Sequence, residues 1–362
     1  MDTFSYRSRP QGVVFGAGSL KRLAEEADNL GMHRVLVLCT PGQRPLAELA
    51  ADLLGTKCVG IFDKAVMHVP IESARQAVQS TISKDADGVV AIGGGSTIGL
   101  GKAIALESNL PVLAVPTTYA GSEMTPIYGL TEAGVKKTGR DARVLPRTVI
   151  YDPELSQELP LAVSVTSGIN AIAHAAEGLY AHDRNPVSDW MAREGIAALG
   201  KALPVIARRS SSTNEAYFEA RHDALYGAWL CGAVLGSVTV GLHHKLCHTL
   251  GGTFNLPHAE VHTIILPHAL AYNARAASGA MADIATSLRA EGSFAPAAMF
   301  DFAVSLGAPT ALRDFGLHER DLARACELAL RDQYPNPRPL EAEGIKQLLS
   351  DAYAGRRPDR AD

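Results

Sequence analysis

The stretch GVVAIGGGSTIGLGKAIAL, from Gly88 to Leu106, constrains this chain more than any other. An apolar, β-branched run reads as a strand buried on both faces; three glycines break it, and the chain restarts as a helix. Such a strand needs helices above and below its sheet, and the neighbouring sequence supplies them. Val13-Val14-Phe15, Arg34 to Thr40, Cys58 to Phe62 and Pro111 to Thr118 read as strands. Ser19 through Ala27, Leu46 to Leu54 and Ile71 to Ser83 read as the helices between them. This alternation predicts an α/β domain with a parallel, Rossmann-like sheet over residues 1–155, with ligands at the C-terminal strand ends.

The turn Gly93-Gly94-Gly95-Ser96 carries the chemistry of that half. Glycines between strand and helix let the backbone approach a phosphate, and the helix N-terminus offers free N–H groups and a positive dipole end. It is neither a GxGxxG fingerprint nor a Walker A loop, because Lys102 arrives too late and no Ser or Thr follows it. A merely structural tight turn is the plain alternative. Hydroxyls at a second strand end, Thr117 and Thr118, favour a dinucleotide. A third strand end, Cys39-Thr40, lacks the acidic residue that a strict NAD enzyme presents to the adenosine ribose, so NADH and NADPH are both expected to serve. Lys137 is placed with the cofactor-binding residues as well.

After Asp152-Pro153 few β-branched runs remain, and from about Ser167 the chain reads as helix after helix, a second, all-α domain over residues 156–362. Two domains suit 362 residues. Within this half, GLHHKLCHTLGGTFNLPHAEVHTIILPH, Gly241 to His268, holds six of the twelve histidines. His244 and His248 share a helical face; Gly251-Gly252 is expected to end that helix, and Pro257 to set His258 on the returning segment. Asn170 and His174, likewise four apart, join the candidates. Any one histidine is as easily a packing residue; six together point to metal binding, proton transfer or an anionic substrate. A cleft enzyme using a dinucleotide is the economical expectation.

Composition narrows the rest. A formal charge of −4 gives nucleic acid no support as a partner. No apolar run is long enough for a bilayer, so no membrane association is expected. Five scattered cysteines without a CxxC pair suggest a reducing compartment, with the cytoplasm the default.

Together these motifs resemble the iron-containing alcohol dehydrogenase superfamily along nearly the whole chain. The family's GGGSxxDxxK is here GGGSTIGLGK, Gly93 to Lys102, and its PTTxxxGSE is a one-residue-shorter PTTYAGSE, Pro116 to Glu123. Its metal set of Asp, His, His, His falls on Asn170, His174, His244 and His258, and its histidine near the nicotinamide on His248. Gly99 stands where the family has aspartate, and neutral Asn170 where the metal's anionic ligand belongs. The variants GGGSTxGLGKAIAL, PTTYAGSEMTPIYG, GLHHKLCHxLGG and YPNPRP resemble the maleylacetate reductase branch. That resemblance implies a homodimer reducing the olefin of maleylacetate to 3-oxoadipate with NADH or NADPH, in hydroquinone-type and resorcinol-type aromatic degradation.

Hydride addition to the carbon β to a ketone leaves an enolate, which histidine or lysine donors can stabilise. With an anionic ligand missing, the expectation is that no metal is required. His244 and His258 are expected to bind the ketone oxygen or pass the proton, Lys245 and His243 to hold carboxylates, His248 to lie beside the nicotinamide, and His174 to complete the wall. The rivals are a metal-dependent alcohol or glycerol dehydrogenase of the same fold and a non-catalytic nucleotide-binding protein.

Overall fold

The computed structural model describes residues 3–359 except 5, 7, 133, 134, 210 and 211. It divides into two compact units, Arg7–Leu159 and Pro160–Asp362, the latter counted together with Met1–Tyr6.

In the first unit, strands β1 (Gly12–Phe15), β2 (Val35–Leu38), β3 (Cys58–Phe62), β4 (Gly88–Gly93), β5 (Val112–Pro116) and β8 (Thr148–Tyr151) form one sheet in the order β1-β8-β5-β4-β2-β3. Every pairing in it is parallel. Helices α1 (Leu23–Asn29), α2 (Arg44–Leu54), α3 (Ile71–Ser83) and α4 (Gly95–Ser108) connect the strands. All six residues of β4 are buried, because apolar clusters lie on both sheet faces. One gathers Leu23, Val37, Ala47, Val90 and Ile92; the other gathers Leu36, Ala77, Val89, Leu100 and Ile104. The alternation in the sequence is thus the direct trace of a doubly covered parallel sheet. Two elements fall outside the sequence expectations: β8, and an antiparallel hairpin of β6 (Ile127–Glu132) and β7 (Val135–Arg140).

The second unit is helical, as expected, but begins earlier than Ser167. Pro160, which favours the helix start, precedes α5 (Leu161–Gly178). Then follow α6 (Pro186–Ala207), α7 (Asn214–Ser237), α8 (Leu242–Phe254), α9 (His258–Asn273), α10 (Ser278–Ser287), α11 (Ala295–Ser305), α12 (Leu322–Leu330) and α13 (Ala342–Ala354). Gly251-Gly252 does not end its helix. α8 continues to Phe254, where Asn255 adopts the left-handed conformation at φ 54°; a short polar side chain tolerates that geometry, and Pro257 then bars further helix. Leu246, Leu250, Ile264, Ile265, Ile345 and Leu349 unite α8, α9 and α13 in one apolar cluster. Among the described residues no single helix is long and apolar enough to cross a membrane.

The glycine that closes β4 is required twice over. Gly93 has φ +150°, and a Cβ there would lie 2.6 Å from both Gln43 Oε1 and Thr97 Oγ1. Gly99, where the resemblance puts aspartate, is equally confined: a Cβ would sit 2.8 Å from Val69 Cγ2. Gly93→Ala should therefore lower the unfolding free energy by about 1–3 kcal/mol through backbone strain. Urea denaturation reads this, and an unchanged midpoint and slope would refute it.

Candidate functional site

In the first unit, the C-terminal ends of β2, β4 and β5 come together. Thr117 N–H donates to Gly93 O at 3.1 Å. Gln43 Nε2 donates to Thr117 Oγ1 at 2.8 Å, and Thr40 Oγ1 donates to Gln43 Oε1 at 3.1 Å. Gln43, which sequence reasoning passed over, thus links two predicted hydroxyl residues. Gly94 caps α4 in extended conformation without a side-chain partner, leaving Gly95 and Ser96 in the first turn, and Thr118 lies beside Gly94. Thr97 Oγ1 is buried with no hydrogen-bond partner; sequence reasoning missed this one too, although it sits one residue beyond Ser96.

The remaining cofactor candidates are less central. Cys39 is fully buried, its thiol pushed up to about 11 mainly by burial, so Thr40 presents the polar group at that strand end. Arg44 pairs with Asp63 at 2.7 Å and Glu48 at 2.9 Å, so an acidic residue does stand in this region, one strand further along than expected. Lys137 lies exposed on the hairpin, 2.6 Å from Glu132.

Lys102 explains the last letter of its motif. It is fully buried, and Nζ donates to Ser122 O at 2.6 Å, Ile127 O at 2.7 Å, Thr125 Oγ1 at 3.0 Å and Ser122 Oγ at 3.2 Å. Burial brings its pKa down to about 7 against the opposing pull of Glu123. It pins the Gly-Ser-Glu segment to α4. Glu123 is itself buried and accepts from Tyr151 OH at 2.7 Å, its carboxyl raised by burial.

In the second unit the histidines converge on a carboxylate absent from the sequence expectations. Glu177 lies on α5 three residues after His174 and is 1% exposed. Its Oε2 accepts from Gly241 N at 2.9 Å and its Oε1 from His243 N at 2.8 Å, so it caps α8, whose N-cap glycine has no side chain. His244 Nδ1 stands 2.6 Å from the same Oε2. Burial alone would raise this carboxyl; the hydrogen bond and charge of His244, with the Gly241 and His243 amides, outweigh it and hold the carboxyl below its ordinary range. An ionised Glu177 can only accept, so His244 donates to it from Nδ1, and its Nε2 lies 2.9 Å from His174 Nδ1.

Beside this pair, His243 Nε2 faces His262 Nδ1 at 2.9 Å, with Cys247 Sγ 3.7 Å from the same Nε2. Burial first, then neighbouring imidazoles, pushes His243 and His262 well below the ordinary histidine range, so both are neutral. His243 is thus enclosed rather than set out toward a carboxylate. His248 Nδ1 meets Tyr334 OH at 3.1 Å, and Lys245 Nζ lies 5.5 Å from the centre of the Tyr334 ring, its pKa lowered by desolvation. Tyr334 belongs to the YPNPRP segment, which Asn336 ties to Asn273 of α9 through reciprocal amide bonds of 2.7 and 2.9 Å.

The donor set fits a metal ion. Ligand atoms of His174, His244 and His262, all buried, lie within 4.8 Å of one another. Asn170, one turn before His174, has a buried Oδ1 with no hydrogen-bond partner, as a waiting oxygen ligand would. Neutral imidazoles and a carbonyl oxygen suit a borderline divalent ion, and Glu177 holding His244 is the carboxylate–histidine arrangement that orients metal ligands. The resemblance pointed to His258; it is half-buried at the start of α9, its ring centroid 4.3 Å from that of His262. His262, one turn later, is the histidine brought into the group.

Comparison with known proteins agrees along the whole length. The family model described as iron-containing alcohol dehydrogenase matches residues 10–153, and that of the C-terminal part of the Fe-containing alcohol dehydrogenase family matches residues 164–353. The maleylacetate reductase of Burkholderia cepacia is 59% identical over 99% of this chain and 100% of its own. Among solved structures, the maleylacetate reductase of Agrobacterium tumefaciens superposes with a TM-score of 0.93 at 50% identity, covering 99% of this chain and all of that one. An iron-containing alcohol dehydrogenase of Corynebacterium glutamicum gives 0.91 at 41%, covering 98% of each chain. These findings correct one expectation. A family defined by iron, together with three converging buried imidazoles, overturns the reading that no metal is required; neutral Asn170 weakens the ligand set without abolishing it. On its motifs, its two matched halves and its full-length relatives, the chain belongs to the iron-containing alcohol dehydrogenase family, in its maleylacetate reductase branch.

Proposed function

We propose that this enzyme reduces the carbon–carbon double bond of maleylacetate with NADH or NADPH, giving 3-oxoadipate. The full-length likeness to maleylacetate reductases carries the reading. The turn Gly93-Gly94-Gly95-Ser96 takes the pyrophosphate, supported by the uncapped α4 N-terminus and the unpartnered Thr97 hydroxyl. Thr40, Thr117 and Thr118 supply further donors.

His174, His244 and His262, with Asn170 Oδ1, would hold a divalent ion, which when bound supplies Lewis acidity toward the ketone oxygen. Hydride adds to the carbon β to the ketone, the electron pair moves onto that oxygen as an enolate, and the adjacent carbon takes a proton. Glu177 holds the His244 proton on Nδ1, which leaves Nε2 to face the ion. His258, half-buried and therefore open to a substrate, is assigned that proton transfer. Lys245, part-exposed, offers its charge to a substrate carboxylate, and Tyr334 steadies His248 for the nicotinamide. A cytoplasmic location belongs to the same reading, supported by five free cysteines, and so does a homodimer, which rests on the resemblance alone.

Purified protein should consume NAD(P)H with maleylacetate far faster than it oxidises glycerol or simple primary alcohols; faster alcohol oxidation would transfer the chain to the rival activity. His244→Ala should lower kcat about a hundred- to a thousandfold, as loss of one oxyanion-stabilising group does. Lys245→Ala should act mainly on KM, since a carboxylate grip is made equally before and during reaction. A stable His244→Ala protein with normal kcat would remove that residue from the site. Glu177→Gln keeps the volume but loses the charge that orients His244, and should weaken retention of ferrous iron or zinc by roughly ten- to a hundredfold. Equilibrium dialysis measures this, and unchanged affinity would deny Glu177 its positioning role.

A further inference from the structure

The geometry points to a second cation site in the histidine unit, built from His243, Cys247 and His262 and selective for soft, thiophilic ions such as cadmium. His243 and Cys247 lie four apart on one face of α8, and His262 approaches from α9. All three are buried, with Nε2 of His243 2.9 Å from Nδ1 of His262 and 3.7 Å from Cys247 Sγ. In a tetrahedral zinc site, bonds of ~2.3 Å to sulfur and ~2.05 Å to nitrogen put sulfur and nitrogen ~3.6 Å apart and two nitrogens ~3.3 Å apart. The sulfur–nitrogen edge is already at that length, and the imidazole pair needs to open by only a few tenths of an ångström. The outer nitrogens, His243 Nδ1 and His262 Nε2, are buried with no hydrogen-bond partner, so no fixed partner opposes a small turn of either ring.

Ligand softness separates this site from its neighbour. A thiolate with two imidazoles favours the softer cadmium, whereas three imidazoles and a carbonyl oxygen take zinc or iron but lack the sulfur that draws a soft ion. Binding exchanges the thiol proton of Cys247 for a metal–sulfur bond, the proton leaving to solvent. Both groups need His262, so the two sites cannot be complete at once. Occupation by a thiophilic ion takes His262 from the imidazole set and inhibits the enzyme; this second consequence rests on the proposed function, the site itself does not.

Cobalt(II) added to chelator-treated full-length protein tests the site by spectroscopy. The expected result is a thiolate-to-cobalt charge-transfer absorption in the near ultraviolet that disappears in Cys247→Ala, while visible cobalt bands from the imidazole set remain. His243→Gln, which keeps the thiol, should weaken the charge-transfer species at least tenfold, and it decides the matter if Cys247→Ala does not fold. Identical spectra without charge transfer in all three proteins overturn the site. Cadmium inhibition of maleylacetate reduction should need at least tenfold more ion in Cys247→Ala; equal sensitivity overturns the inhibitory consequence and leaves the spectroscopic result to stand by itself. An enzyme inactive on maleylacetate would unseat the proposed function without touching the cobalt spectra.

Discussion

A single buried carboxylate organises the histidine unit. Glu177 brings a full negative charge into a place 1% exposed, where an unpaired ion would cost several kcal/mol. It is tolerated because the first turn of α8 has unsatisfied N–H groups and a positive dipole end, and because the Gly241 and His243 amides and the His244 ring all donate to it. The cap of α8 and the orientation of the His244 ring are therefore one interaction. Whatever loosens Glu177 loosens both the entry of α8 and the tautomer of His244.

The nucleotide unit repeats the principle with the sign reversed. Lys102 is a buried cation surrounded by carbonyl and hydroxyl oxygens of the segment between Ser122 and Ile127. The lysine of the motif, read from sequence as too late for a phosphate, is an anchor for the loop that follows β5. Its partial loss of charge near neutral pH follows from burial, and its oxygen partners can accept from either protonation state.

The sheet was legible because its signal is local: an apolar run such as β4, ended by glycines and followed at once by α4, contains its own instructions. The β6–β7 hairpin was not, since its strands, IYGLTE and VKKTGR, lack the unbroken apolar run that marks the strands of the doubly covered sheet. At the site, the four-residue spacings of Asn170 with His174 and of His244 with His248 could be read as helical faces. Glu177 could not, because its partners lie more than sixty positions away and only folding brings the start of α8 onto α5. His262 lies outside the motif that the resemblance supplies, and only the packing of α9 beside α5 and α8 brings its ligand atom near those of His174 and His244. The metal expectation failed by weighing one neutral ligand alone, without the carboxylate behind His244.

Gly99 is fixed by packing. With Val69 where it packs, even a Cβ at position 99 would come within 2.8 Å of the valine methyl. Valine has no flexible end to swing aside. The two positions are sterically coupled: any side chain at 99 requires Val69 to shift or to be replaced by a smaller residue. An acidic side chain introduced at 99 would therefore be tolerated only together with a smaller residue at 69.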